Sequence, residues 1–204
     1  MQFERKTDIG KRKRISEKVI TMSILWINAC VRKQSRTLVL AKSVMKEMHG
    51  EIIEVDLNRE EIAPLNDVLL EKRDRLIREE KWDDPMLRYA RQFAEADEIV
   101  IAAPFWDLSF PARLKIYLEQ ITVAGITFHY RDGMPVGLCK ASRLTYVTTS
   151  GGPIFEDFGY RYVKTLAQQF YGIPKTRAVR AMNLDVEMIT AEELMERATV
   201  SVIE

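Results

Sequence analysis

The stretch Ile99-Val100-Ile101-Ala102-Ala103-Pro104-Phe105-Trp106-Asp107-Leu108 decides the fold. An unbroken apolar run that stops at a proline and then turns aromatic reads as a strand buried on both faces, the signature of a parallel sheet. It delivers a stiffened aromatic loop to the sheet's edge. In open α/β sheets, ligands sit in crevices beyond the carboxyl ends of the strands. A loop of this composition there suits a flat, apolar ligand better than a sugar or a peptide.

Working outward, β-type runs alternate with helix-period segments. Strands are expected at Ser23–Asn28, Ile52–Leu57, Glu98–Ala103, Arg143–Thr148 and Arg177–Met182. Ser35–Met48 carries Leu38, Ala41, Val44, Met45 and Met48 at helical spacing, and His49-Gly50 closes it. Arg59–Trp82 is a polar excursion that turns at Pro64-Leu65-Asn66-Asp67. Asp83 and Asp84 precede Pro85 as caps for a helix over Met86–Glu95. Further helices are expected at Pro111–Val123, at Tyr160–Tyr171 and, with Thr190 as N-cap, at Ala191–Val202. Ile126–Tyr130 and Val136–Cys139 flank Arg131-Asp132-Gly133 as a small hairpin. Five strands alternating with helices predict an α/β three-layer sandwich on a five-stranded parallel sheet. Residues 22–204 form a single domain in this reading, behind a flexible extension at 1–21.

Composition removes several classes of function. The net charge is +1, and residues 1–21 hold a surplus of four positive charges, which leaves the body near −3. Such a body is a poor nucleic-acid binder, because phosphate neutralisation needs a clustered basic face; Lys11-Arg12-Lys13-Arg14 reads as a solvated tail. Cys30 and Cys139 are too few for a disulfide framework or an iron–sulfur cluster, and with His49 and His129 they make no metal centre. No apolar run reaches the ~18 residues of a membrane span. The basic start, the run at 19–27 and Cys30 have the outline of a lipoprotein signal. Asn28 sits badly at a cleavage site, however, and cleavage would remove the first strand, so the segment is read as β-structure and the protein as cytoplasmic. Met22 is an alternative start.

Strands one, three and four each end in a loop with its own chemistry, and at a switch point such ends are neighbours. The first, Ala29–Thr37, enters a helix N-terminus, where hydroxyls and free N–H groups hold a phosphate. Arg32, Lys33 and Arg36 add positive charge. Lacking a glycine-rich pattern, it suits one phosphate rather than a pyrophosphate. The second, Pro104–Phe110, offers an aromatic wall of the kind a flavin ring uses. The third, Thr149-Ser150-Gly151-Gly152, lets backbone approach a ligand closely. Each also reads as ordinary structure: a capped helix, a core-edge cluster, a turn. Their occurrence at successive strand ends favours one shared site.

Gln34-Ser35-Arg36-Thr37-Leu38, Ala102-Ala103-Pro104-Phe105-Trp106-Asp107-Leu108, Leu114-Lys115-Ile116-Tyr117, Ala124–Tyr130 and Thr149–Gly152 together resemble the FMN-dependent NADH:quinone oxidoreductases, or azoreductases. The resemblance runs from Met22 to the C-terminus and implies a flavodoxin-like fold. It implies a homodimer with FMN near the subunit interface, NADH or NADPH as donor, and a quinone or azo compound as acceptor. Gln34, Ser35 and Thr37 would lie at the phosphate; Pro104, Phe105, Trp106, Asp107 and Leu108 along the isoalloxazine; and Thr149, Ser150, Gly151 and Gly152 at its other edge. Tyr130 and Phe170 would belong to a substrate pocket completed by the second subunit. Where the family commonly has asparagine, this chain has Asp107, a charge that bears on the redox potential.

The implied chemistry is a two-step exchange, hydride from the nicotinamide to the flavin and then to the acceptor, so the chain needs no triad or metal. His129 is a candidate proton donor, or a structural residue. The rival readings are an electron carrier with no NAD(P)H turnover of its own, a flavin-free interaction module, and an iron–sulfur flavoprotein, which the cysteine count disfavours.

Overall fold

The computed structural model describes residues 21–186, 190, 193 and 198–201. Five parallel strands form the centre: β1 (Ser23–Asn28), β2 (Glu51–Asp56), β3 (Glu98–Ala102), β6 (Arg143–Thr149) and β7 (Lys175–Ala181). Their order is β2-β1-β3-β6-β7, with the register Asn28↔Ala102↔Val147 across the middle. The apolar run Ile99–Ala102 therefore lies in the central strand, and all of β3 is buried.

Strand alternation sorts the apolar side chains between two layers. Leu25, Ile27, Ile99, Ile101, Leu144 and Tyr146 face α3 (Arg88–Glu95), α4 (Ala112–Ile121) and α5 (Phe158–Gln169), where Tyr89, Phe93, Leu114, Tyr117 and Tyr160 complete the core. Ile24, Trp26, Val100, Val147 and Val179 face α1 (Arg36–Lys46), which buries Leu40, Ala41 and Met45. The polar excursion folds as α2 (Asp67–Arg78), capped by Asn66. A 3-10 turn at Pro85–Leu87 follows, with Asp84 accepting from the Met86 N–H. β4 (Phe128–Arg131) and β5 (Met134–Gly137) form the expected hairpin, shifted by about two residues.

One expectation fails. Ala191–Val202 read as a closing helix, yet Thr199–Ser201 forms β8, antiparallel to β7 through Ala178↔Ser201 and Arg180↔Thr199. β7 would otherwise be an open sheet edge, and Thr199-Val200 is a β-branched pair that fits one. The helix start has support in a capping box: Thr190 N–H donates to Glu193 Oε2 at 2.8 Å, and the Glu193 N–H donates to Thr190 Oγ1 at 3.3 Å. The other residues of the expected helix before 198, and residues 1–20 of the expected extension at 1–21, lie outside the described residues. Among the described residues no helix is long and apolar enough to cross a membrane.

Candidate functional site

The loops after β1, β3 and β6 converge, as the topology requires. Between them lies a cavity of about 180 Å³ lined by Arg32, Gln34, Ser35, Arg36, Thr37, Pro104, Phe105, Trp106, Thr149, Ser150, Gly151 and Asp185. A larger groove, about 580 Å³, lies under the α2 excursion between Glu61, Lys72, Asp84 and Arg88. The loops after β1, β3 and β6 do not reach it, so the smaller cavity is the candidate site.

Its floor is the N-terminus of α1. Ser35 is the N-cap, its hydroxyl accepting from the Leu38 N–H at 3.3 Å, and the Ser35 carbonyl accepts from Val39. Among the described residues nothing accepts from the N–H groups of Arg36 and Thr37, which stand at the positive end of the helix dipole. The Thr37 and Thr149 hydroxyls are buried and 2.7 Å apart, fastening α1 to the end of β6. Both hydroxyls expected at a phosphate thus also have structural work. The backbone N–H groups are the free donors.

The β3 loop forms one wall. Phe105 N–H donates to the Thr149 carbonyl at 3.1 Å, pinning the loop to β6. Trp106 and Ser109 exchange hydrogen bonds of 3.1 and 2.7 Å across a two-residue turn, with Asp107 at φ 49° and Leu108 at φ 64°. Positive φ at both central residues marks a type I′ turn, built here without glycine, so backbone strain is held at the edge of the site. The Phe158 N–H, at the start of α5, donates to the Leu108 carbonyl at 3.0 Å and holds the turn in place. Asp107, Leu108 and Gly152 stand outside the cavity lining, and the Asp107 carboxylate, exposed at the tip, makes no hydrogen bond among the described residues. Trp106, Leu108, Phe155 and Phe158 are exposed; Phe155, at 84%, is nearly bare.

Tyr130, His129 and Phe170 lie elsewhere in this chain. Tyr130 and Phe170 both pack edge-on against Phe128, with ring centroids 5.3 Å away in each case. Phe170 follows the last turn of α5. Since α5 leaves the cavity end and runs ~18 Å back along the sheet, Phe170 sits at the far edge. Tyr130 is 61% exposed on the hairpin, and His129 pairs with Val136 beside it.

Two residues of the site neighbourhood had escaped notice. Arg36 Nη1 donates to the Leu184 carbonyl at 3.0 Å and to Asp185 Oδ1 at 2.8 Å. That contact, with the nearby charges of Arg36 and Arg32, lowers the Asp185 carboxyl below its ordinary range. Asp157 caps α5 through the Tyr160 N–H and accepts two hydrogen bonds from Arg180, at 2.9 and 3.2 Å. Turn chemistry around Asn183 was the available signal for the first; for the second it was an aspartate, a preferred N-cap type, just ahead of the helix expected from Tyr160.

Burial pushes the Cys30 thiol up to about 11 and Cys139 up to about 12, so both stay protonated and unreactive at neutral pH. Among the described residues no group of three or more His, Cys, Asp and Glu is placed to hold a metal ion.

A family model described as a flavodoxin-like fold matches residues 22–202. The chain belongs to that family. A Clostridium perfringens protein named FMN-dependent NADH:quinone oxidoreductase is 37% identical over 183 residues, covering 85% of this chain and 92% of its own. A Clostridium acetobutylicum protein named FMN-dependent NADH:quinone oxidoreductase 2 is 39% identical over 176 residues, with 80% and 87% covered. Among solved structures, a Bacillus anthracis FMN-dependent NADH-azoreductase in complex with FMN superposes with a TM-score of 0.70 at 25% identity, over 86% of this chain and 97% of that one. The cavity has what such a group needs: free N–H donors, arginine charge, and an aromatic wall. Gly151 contributes by absence, because a Cβ there would fall 2.1 Å from Asp185 Oδ2.

Proposed function

We propose that the chain is an FMN-dependent NAD(P)H oxidoreductase that reduces quinones, and azo compounds as a second acceptor class, by two-electron ping-pong turnover. The observation that carries this reading is the convergence of three strand-end loops on one cavity with free helix N–H groups at its floor. The names of relatives 37% and 39% identical over most of the chain supply the donor and the acceptor.

FMN bound in the cavity would accept a hydride from the nicotinamide and return it to the acceptor. The chain's own work is to bind, orient and exclude water. The N–H groups of Arg36 and Thr37, with the charge of Arg32 and Arg36, would hold the phosphate against the α1 dipole. Phe105 and Trp106, with the turn at Asp107-Leu108, would hold the ring's face and edge, and Thr149, Ser150, Gly151 and Gly152 would approach from the other side. The type I′ turn is held by its own Trp106–Ser109 hydrogen bonds and by the Phe158 N–H, which would pre-organise it for the ring.

The exposed band of Trp106, Leu108, Phe155 and Phe158 beside the cavity is the kind of apolar patch that marks an interface. A homodimer closing over it would explain why Tyr130 and Phe170, with His129 beside them, stand far from their own chain's cavity. A second copy brings them to the site, where they cover the ring and His129 is a source of a proton for the reduced acceptor. Two free cysteines fit a reducing, cytoplasmic compartment.

Steady-state kinetics with NADH and a benzoquinone tests the reading. Parallel double-reciprocal lines are expected, together with a dimer in sedimentation. Intersecting lines would refute the ping-pong order. FMN bound without NADH oxidation, whether NADH or NADPH is offered, would make the chain an electron carrier.

A further inference from the structure

The cavity presents an inconsistency. The α1 N–H groups, Arg32 and Arg36 favour an anion, yet a carboxylate, Asp185, stands in the same lining. This carboxylate is held on two sides. The loop after β7 is laced to the loop after β6 by backbone bonds: Leu184 N–H to the Ser150 carbonyl at 3.2 Å, Asp185 N–H to the Gly151 carbonyl at 2.9 Å, and Asn183 N–H to the Gly152 carbonyl at 3.3 Å. From the other side Arg36 binds both Leu184 and Asp185, so a bridge runs from the first turn of α1 to the loop after β7. Asp185 Oδ2 occupies the space a side chain at position 151 would take. The carboxylate is thus a built part of the wall, and its contact with Arg36 keeps it ionised.

We propose that Asp185, fastened by Arg36 across the outer side of the phosphate cavity, is the specificity residue that restricts the site to a flavin ending in a single phosphate and excludes FAD. The inference rests on the FMN reading above. One phosphate is matched by the free N–H groups of Arg36 and Thr37 and by the arginine charges. A second phosphate, with the nucleoside beyond it, has to leave a cavity of about 180 Å³ past the bridge, and there it meets a fixed negative charge. Like charge placed against the wrong ligand gives specificity without adding affinity for the right one. Arg36 offsets this charge for FMN, because its guanidinium retains further N–H donors after Nη1 is spent.

The test is exchange dialysis of the full-length, FMN-loaded protein against equal FMN and FAD, with the bound flavin identified by chromatography after denaturation. Wild type should retain FMN almost exclusively. Asp185→Asn keeps the size and removes the charge, and it should raise the bound FAD-to-FMN ratio by about tenfold. Asp185→Ala also opens the wall and should raise the ratio further. The Asp185 side chain is exposed and Arg36 half-buried, and an ion pair of this kind contributes little to stability, so neither variant should lower the thermal midpoint appreciably. The proposal is overturned if the ratio stays at the wild-type value in both variants, or if both flavins weaken together, which would leave Asp185 a mere anchor for Arg36. A wild-type protein that retains neither flavin would remove the FMN reading itself, and one that takes both equally would remove only the specificity.

Discussion

Replacing Asp157 by alanine should be among the most costly single changes near the site. Its side chain and that of Arg180 are 14% and 12% exposed, and 2.9 Å separates their nearest atoms. The same carboxylate caps α5 at the Tyr160 N–H over 2.7 Å, while the Arg180 guanidinium lies 4.9 Å from the Tyr160 ring centroid. Losing an N-cap costs about 1 kcal/mol. Stranding a buried charge by removing its partner costs about 3–5 kcal/mol. The two losses share one side chain and do not add fully, so about 4 kcal/mol is expected. That is a large share of the roughly 5–15 kcal/mol that holds a domain together. It corresponds to a fall in Tm of about 8–16 °C. Urea unfolding followed by circular dichroism measures it. Asp157→Asn retains the cap oxygen and loses the charge, so it should fall between wild type and alanine. A loss below about 1 kcal/mol for alanine would refute the reasoning and show Arg180 solvated in the folded state.

Three further outcomes follow from the same geometry. Ser35→Ala with Thr37→Ala should weaken FMN binding at least about tenfold, by lost polar contacts and a loosened α1 start, and leave riboflavin binding unchanged; an unaltered FMN-to-riboflavin ratio would remove the phosphate from α1. The Lys140 ammonium, then the Ser23 N–H, holds the Asp97 carboxyl at about 2 against an ordinary 3.8. Because the folded-state value is depressed, its stabilisation is present above about pH 4 and lost as pH falls towards 2. Wild type should exceed Asp97→Asn by about 1 kcal/mol at neutral pH after solvent screening and match it near pH 2; a gap that persists there would contradict the assignment. Asp107→Asn should shift the bound flavin's midpoint potential by less than about 30 mV, the equivalent of 1.4 kcal/mol for two electrons, because the carboxylate stands exposed at the loop tip; a larger shift would place it against the ring.

Local signals made the central fold legible. β3 announced itself as an apolar run, α1 by its stripe and its Ser35 cap, and the hairpin by Asp132-Gly133. The loops at 34–37, 104–106 and 149–151 were found for the same reason, since each sits at the end of a recognisable strand and the switch-point rule brings such ends together. The bonds between distant parts were not legible. Arg36 and Asp185 are 149 residues apart, Thr37 and Thr149 are 112, and neither pair leaves a periodicity or a motif. The type I′ turn at Asp107-Leu108 escaped because it lacks the glycine that usually marks one. β8 was not legible because the Thr190 cap points to a helix over 191–202, whereas pairing with the open β7 edge draws 199–201 into the sheet. Phe170 and Tyr130 show a different limit. Their place in the fold depends on the direction of α5 and on the hairpin, and their proposed place in the site depends on a second chain.

The most direct measurement is an anaerobic titration of the FMN-loaded protein with NADH, read from the visible flavin band. One equivalent of NADH per subunit should bleach the band, and one equivalent of a benzoquinone should restore it in full. A band that neither NADH nor NADPH bleaches, while a chemical reductant bleaches it and the quinone restores it, would contradict the oxidoreductase reading and leave a carrier that depends on another protein for its electrons.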